Sequence, residues 1–522
     1  MLEMSSGLFD YSHFPQISGE LFRTVQRRDL FDDDKRFVDA EPRVPPDLLF
    51  ERYLTRRDRT DFDLKSFVED QFRLPEPVSA APDLAPSRSM EDHVSSLWET
   101  LTRTFEDADS TGSTIIALPN PHVVPGGRFR EMYYWDSYFT AEGLAAAGRT
   151  DLIRGMVGNV ASLLDRFEFV PLGNRAYYDS RSQVPLFYRM LRVLEREEGF
   201  DAVAPHVEAL RTEHEFWMDG ADRVGGGDGA PGGDGAPDAD GAAAHRRVVG
   251  VADETVLNRY WDDRARPRPE SYHEDRRLAD RVPVDDRPDL FRDVRAACES
   301  GWDFSSRWLA GDDLTTIRTT DLVPVDLNAV LYGVETALAE WLPRVGQPAA
   351  GERYADLAAD RREAINRYFW DPDAGFYVDY SWVDERRSDR LTLAAVAPLF
   401  TGAATEDRAA AVADRLRRDF LRPGGLVTTL EDTGEQWDAP SGWAPLHWMA
   451  VTGLRRYGHD ALADEIANRW VDLARSSFEE TGRMAEKYDV RSVGETTDLG
   501  EYDPQYGFGW TNGVVTALSA RQ

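Results

Sequence analysis

Large apolar residues in this chain recur every third or fourth position and scarcely ever every second. Leu331, Val334, Leu338 and Trp341 fall at i, i+3, i+7 and i+10; Val412, Leu416 and Phe420 recur at fours; Leu462, Ile466, Trp470 and Leu473 repeat the pattern. That is the spacing of α-helices that bury one face in a core. Asp326 and Asp460 stand where helix N-caps belong. Alternating β patterns are scarce and no strand–helix–strand rhythm is visible, so a mostly helical fold is expected. Many helices of similar length, separated by Gly/Pro/Asp loops, suit a toroid of paired helices. With 522 residues, 42% of them apolar, and 14 Trp, a large packed core is available.

The first 90 residues are broken by Pro42, Pro45, Pro46, Pro75, Pro77, Pro82 and Pro86. They are expected to form an extension packed on a catalytic body over residues 91–522. A Gly/Asp/Ala-rich stretch from Gly225 to Ala244 holds no apolar residue larger than Ala or Pro. It reads as a flexible loop insertion within 221–245; the ligand spacing and closing Glu of a calcium loop are missing. No run approaches 18 apolar residues, so no membrane span is expected. The N-terminus lacks a basic region followed by an apolar one, and the lone Cys298 cannot close an internal disulfide. Both observations lead to the expectation of a cytoplasmic protein; a monomer is also expected.

Net charge is −33, and only Lys35, Lys65 and Lys487 are lysines, so nearly all positive charge is Arg. An acidic binder of cations or basic partners is one reading. A halophilic surface is the better one, because at about 1 M salt the Debye length is only ~3 Å and self-repulsion is screened. No basic stripe exists to neutralise phosphates, which excludes nucleic acid as a partner. The nine histidines are scattered with no ligand pair at i, i+3 or i+4, so metal-free chemistry without a cofactor is expected.

Chemistry concentrates in two aromatic–carboxylate blocks roughly 300 residues apart, Pro125–Phe139 (PGGRFREMYYWDSYF) and Gln436–Pro445 (QWDAPSGWAP). Flat aromatic faces beside acids and guanidiniums suit a sugar, whose C–H faces stack and whose hydroxyls pair with bidentate groups. The competing reading makes the rings core residues and the acids solvated, which is harder to hold for two such blocks than for one. Hydrolysis of a glycosidic bond with inversion needs one protonated and one ionised carboxyl, roughly 6.5–9.5 Å apart. From the residues alone Glu131, Asp136, Glu270, Asp303, Asp438, Glu486 and Glu501 remain unranked.

Both blocks resemble the signatures of the trehalases, the inverting family 37 of glycoside hydrolases. The resemblance runs through Leu21–Gln26, Leu30–Asp39, Leu257–Asp262, Arg266–Tyr272, Glu299–Trp308, Glu486–Asp489 and Tyr506–Gly513. It implies an (α/α)6 toroid that hydrolyses trehalose, with Asp303 as general acid and Glu486 as general base. It also implies sugar contacts from Arg128, Phe129, Tyr133, Trp135, Asp136, Asn174, Arg181, Ser182, Gln183, Arg268, Glu270, Gly301, Trp437, Trp443 and Glu501. The flanking residues are compatible: Trp302 and Phe304 would raise the pKa of Asp303, and Lys487 beside Glu486 would hold its carboxylate ionised. Competing roles are a helix cap or Arg307 partner for Asp303, a surface ion pair for Glu486, and salt bridging for each Arg.

The chain departs from the family pattern at two places. Leu172 stands where an Asn that holds the sugar is usual, and the lid Gly494–Tyr502 (GETTDLGEY) replaces a run of glycines. Both leave room for a related α-glucoside or a glucosylated compatible solute as substrate. A catalytically silent sugar-binding protein is a third reading, against which both carboxylates argue.

Overall fold

The computed structural model describes residues 8–76, 89–104, 112–224, 243–252, 255–492 and 500–521. Residues 225–242, most of the expected loop insertion, and 493–499, most of the expected lid, lie outside the described residues.

Among the described residues six helices make an inner ring: Tyr134–Ala146, Phe187–Glu198, Val325–Arg344, Ala397–Thr401, Ala444–Arg456 and Gly509–Ser519. Each touches the next, and the last touches the first, so the ring closes. Thr150–Phe167, Val207–Trp217, Pro348–Ala364 and Asp460–Thr481 pack against its outside, and Met90–Leu101 covers the seam beside Gly509–Ser519. The architecture is an (α/α)6 toroid.

The two layers differ in pattern for a physical reason. Tyr134–Ala146 is buried without interruption from Tyr134 to Leu144, polar residues included. Pro348–Ala364 buries only Ala350, Gly351, Tyr354, Ala358, Arg361 and Ala364, a single face. A helix enclosed on every side has no reason to alternate with the 3.6-residue period, whereas an outer helix must. Closure of the ring depends on close approach. A Cβ on Gly143 would lie 2.3 Å from Cα of Gly513, and one on Gly513 would lie 2.3 Å from the Phe139 carbonyl oxygen.

The expected caps shift by one or two residues. Pro324 occupies the N-cap of Val325–Arg344 and His459 that of Asp460–Thr481. Asp326 instead sits in the first turn, where its carboxylate pairs with the buried Arg307 at 2.7 Å and accepts from Leu327 N at 2.9 Å, while the Asp379 carboxylate accepts from Val325 N at 2.9 Å and serves the helix start from another segment.

Strands are short. The most consequential pair is Ser441–Trp443 with Lys487–Asp489, antiparallel, with Trp443 opposite Lys487. The register brings the second aromatic block alongside Glu486. Near the N-terminus, Gly19–Arg27 packs on Tyr272–Ala279, and Lys35–Val38 on the short turn Pro269–Ser271. No helix of the described residues is long and apolar enough to cross a membrane.

Candidate active site

One end of the inner ring opens into a cavity with about 720 Å³ of empty space, solvent at its mouth included. This lies in the range of small-molecule pockets, ~300–1,000 Å³. Segments far apart in sequence form its wall: Arg128–Asp136 at the entry to the first inner helix, 268–271, 298–303, 437–443, Glu486, 501–510, and Lys35 from the N-terminal segment.

Of the residues singled out from the sequence, Arg128, Phe129, Tyr133, Trp135, Asp136, Arg181, Gln183, Arg268, Glu270, Gly301, Asp303, Trp437, Trp443, Glu486 and Glu501 line this one cavity. Asn174 and Ser182 do not reach the wall. Asn174 is fully buried and clasps two backbone groups, accepting from Met132 N at 2.7 Å and donating to Ile116 O at 2.8 Å. Ser182 donates from Oγ to Val170 O at 2.7 Å. Two of the unranked acids are also removed from the wall. Glu131 is buried against Lys35 and Arg175, and Asp438 accepts from Ser305 Oγ, Ser306 N and Oγ and Thr429 Oγ1, pinning the loop that follows Asp303.

Arg307 is not the partner of Asp303; it is spent on Asp326 and Asp379, both at 2.7 Å. Trp302 lies in a stack with Trp437 (5.4 Å between centroids), which lies in turn on Trp443 at 3.9 Å and 4°. Gln436 ties the two carboxylate-bearing segments together. Its Nε2 donates to the Asp303 carbonyl, and its Oε1 accepts from Lys487 Nζ at 2.7 Å.

The acids of the wall divide by environment. Burial pushes Asp303 up to about 7, against the pull of the Arg268 guanidinium, while Glu501 and Glu486 add to the rise. Burial raises Glu486 as well, but Lys487, the Tyr502 hydroxyl and Arg128 all oppose it. Its Oε1 accepts from Tyr502 at 3.0 Å, and its buried Oε2 makes no hydrogen bond among the described residues. Asp136 is raised well above the usual range by burial, then by Glu486 and Asp303. Glu270 is held below its ordinary value, burial being outweighed by Arg181, Arg268 and Arg295.

The three pocket arginines are both wall and ion pair. Arg268 forks onto Asp275 (2.6 Å) and Glu501 (3.0 Å), Arg181 pairs with Glu270, and Arg128 pairs with Asp33 at 2.7 Å. Arg181 Nη1 also lies 3.5 Å from Asp262 Oδ2, and the buried Arg128 Nε makes no hydrogen bond among the described residues. Sequence reasoning passed over Lys35, Tyr178, Ser271, Cys298, Tyr502, Phe508 and Trp510, which also line the cavity. Phe508 and Trp510 sit in the matched Tyr506–Gly513 motif, Ser271 in Arg266–Tyr272 and Lys35 in Leu30–Asp39, and could have been drawn from them; Cys298 carried no signal.

A toroid of helices with paired buried carboxyls, arginines and stacked indoles at one end defines the chain as a glycoside hydrolase. The trehalase family model matches residues 29–520, and the chain belongs to the trehalase family. A periplasmic trehalase of Pseudomonas aeruginosa is 44% identical over 500 residues, 96% of this chain and 88% of that protein. A periplasmic trehalase of Xanthomonas campestris is 44% identical over 502 residues, 96% and 85% of the two chains. The neutral trehalase of Saccharomyces cerevisiae superposes with a TM-score of 0.61 at 26% identity, over 84% of this chain and 80% of that one. A mannosylglycerate hydrolase of Thermus thermophilus shares the fold at 16% identity, with a TM-score of 0.50 over 82% of this chain and 100% of that one.

The bacterial relatives overturn the expected cytoplasmic location, since both are named periplasmic. A lone cysteine closes no internal disulfide in either compartment, so Cys298 never carried information about location.

Proposed function

We propose that this chain is an α,α-trehalase that hydrolyses trehalose with inversion, Asp303 acting as general acid and Glu486 as general base. The observation that supports the two roles is the contrast between their surroundings within one cavity. Asp303 is held up to about 7 by burial and by two neighbouring carboxylates, the condition a proton donor needs near neutrality. Burial raises Glu486 too, but Lys487, the Tyr502 hydroxyl and Arg128 all favour its ionised form. Asp303 protonates the bridging oxygen as its bond to one anomeric carbon breaks. Glu486 takes a proton from the water that attacks that carbon from the opposite face. One glucose leaves as the α anomer and the other is formed as β.

An NMR time course of the anomeric protons tests this. Equal α- and β-glucose in the first turnovers is expected; α-glucose alone would mean retention and reassign both carboxylates. Asp303→Asn and Glu486→Gln are each expected to lose on the order of 10²–10⁴-fold in kcat, and near-normal turnover in either removes the assignment.

Leu172 on the cavity wall favours a second reading, a different glucoside whose aglycone is less polar. Leu172→Asn separates the two: a roughly tenfold lower KM for trehalose supports trehalose, and an unchanged KM supports the other glucoside.

The same reading treats residues 1–90 as an extension on a catalytic unit of 91–522, acting as a monomer and, like its relatives, outside the cytoplasm. The net charge of −33 is read as adaptation to salt. A melting temperature that climbs between 0.1 and roughly 2 M NaCl, the range where the Debye length shrinks below ~10 Å, is the expected sign.

A further inference from the structure

We propose that Tyr502 is a positioning residue that holds Glu486 by one oxygen and leaves the other for water, and that Asp33 of the N-terminal segment keeps Tyr502 in place through Arg128. The proposal rests on the reading of Glu486 as the base.

Six contacts carry it. The Tyr502 hydroxyl donates to Glu486 Oε1 at 3.0 Å, while Oε2 is buried and makes no hydrogen bond among the described residues. A carboxylate that accepts a directional bond at one oxygen cannot rotate freely, so the lone pairs of the other are aimed. The Tyr502 ring is itself clamped. Phe129 meets it edge-on with centroids 5.4 Å apart, and the Arg128 guanidinium lies over its face at 4.6 Å. Arg128 in turn is tied to Asp33 Oδ1 at 2.7 Å, and its backbone N–H donates to Gln505 Oε1 at 2.8 Å. Gln505 O accepts from Glu486 N at 2.9 Å, which closes the circuit.

The charged and titratable groups facing Glu486 are Lys487 beside it, Arg128 and Tyr502 from two other segments, and the carboxyls of Asp136 and Asp303. Lys487 supplies charge to the site, and its ammonium donates to Gln436 Oε1 at 2.7 Å. Tyr502 is therefore the side chain that distinguishes the two oxygens of Glu486. Asp33 touches neither the carboxylate nor the hydroxyl, and acts only by orienting the guanidinium. A cation stacked on the ring also draws electron density from the phenol, which strengthens it as a donor.

The test is Tyr502→Phe, which keeps the ring and removes the hydroxyl, measured as full pH profiles of kcat and kcat/KM on trehalose beside Glu486→Gln. Expected are a kcat lowered roughly 10–100-fold, a KM within about twofold of the parent, and an acid limb displaced to higher pH, because the ionised carboxylate loses a donor. Asp33→Asn is expected to move the same limb in the same direction by less, and Asp33→Glu to restore it. An acid limb that stays in place in Tyr502→Phe, or a raised KM at unchanged kcat, overturns the proposal while an inactive Glu486→Gln leaves the base assignment intact. Turnover surviving in Glu486→Gln overturns both. If Asp33→Asn leaves the limb untouched while Tyr502→Phe shifts it, the role of Asp33 falls alone.

Discussion

Replacing Glu213 with Gln should stabilise this protein, and by an amount that grows with pH. Glu213 lies on Val207–Trp217 behind the inner ring, 1% exposed. Its Oε1 accepts from the Tyr134 hydroxyl, and its Oε2 makes no hydrogen bond among the described residues. Burial lifts its pKa from 4.5 to about 8, with the Tyr134 bond only partly offsetting the rise. Below pH 4.5 the carboxyl is protonated in both folded and unfolded chains, so it adds no pH dependence. Between 4.5 and about 8 the unfolded chain ionises while the folded one keeps its proton, and stability falls by about 1.4 kcal/mol per pH unit. At pH 7 the accumulated cost is on the order of 3 kcal/mol, and above pH 8 it levels off at roughly 5 kcal/mol. Gln preserves the shape and the acceptor for Tyr134, and its amide is neutral at every pH. The assay is denaturant unfolding of both proteins at pH 5, 7 and 8.5 at fixed ionic strength, comparing midpoints at equal slope. The variant should gain little at pH 5 and several kcal/mol at pH 8.5. A difference that stays constant across the three would show that Glu213 ionises in the fold as it does in water, and the argument from its burial would fail.

Three further outcomes follow from the geometry. Gly513→Ala places a methyl 2.3 Å from the Phe139 carbonyl oxygen, so the ring must part where it closes; a loss of roughly 1–3 kcal/mol or more should appear as a lower melting temperature. The rate should fall as pH rises through about 7, where Asp303 loses the proton it has to deliver, and a flat profile from pH 6 to 8.5 would contradict its role as acid. Arg268→Gln removes the cation that favours ionised Asp303, so the basic limb should move to higher pH while KM rises; a limb moving to lower pH would reverse the assigned sign.

The sequence was most legible where a segment has one dry side. Asp460–Thr481 buries Leu462, Ile466, Trp470 and Leu473, the residues whose spacing announces a helix. The inner helix Tyr134–Ala146 announces nothing of the kind, because it is enclosed all round, and its first two turns read instead as an aromatic–carboxylate block held in turns. The same enclosure made Asp326 look like a cap: its acid is there for Arg307, which lies 19 residues away in sequence and cannot be paired with it by spacing. Family motifs brought most of the cavity wall to notice, but they do not say which polar residues face inward. Asn174 and Ser182 lie in the same stretch as Arg181 and Gln183, yet their side chains turn to the backbone of neighbouring segments. Side-chain direction in an irregular loop depends on which backbone groups nearby lack partners, and that is a property of the assembled structure.

The Arg-for-Lys bias and the site belong to one argument. An acidic surface tolerates either cation, but the interior of this toroid does not. Arg181, Arg268, Arg295 and Arg307 are buried, and each is paired with carboxylates. A planar fork can serve one carboxylate with one edge and a second with the other, as Arg307 does with Nε and Nη2 on Asp379 and Nη1 and Nη2 on Asp326; an ammonium would satisfy the charge without fixing a direction. The two buried lysines stand where direction is supplied by others: Lys35 is surrounded by Asp39, Glu131 and Tyr177, and Lys487 sits over Trp443 and Tyr502 with its ammonium on Gln436. Pairing each arginine inside the protein orients it before substrate arrives, so binding does not have to order it. Arg181→Lys should therefore damage affinity for the sugar although charge is conserved. A KM within twofold of the parent would mean that charge alone, and not the orientation of the fork, is what the sugar meets at this position.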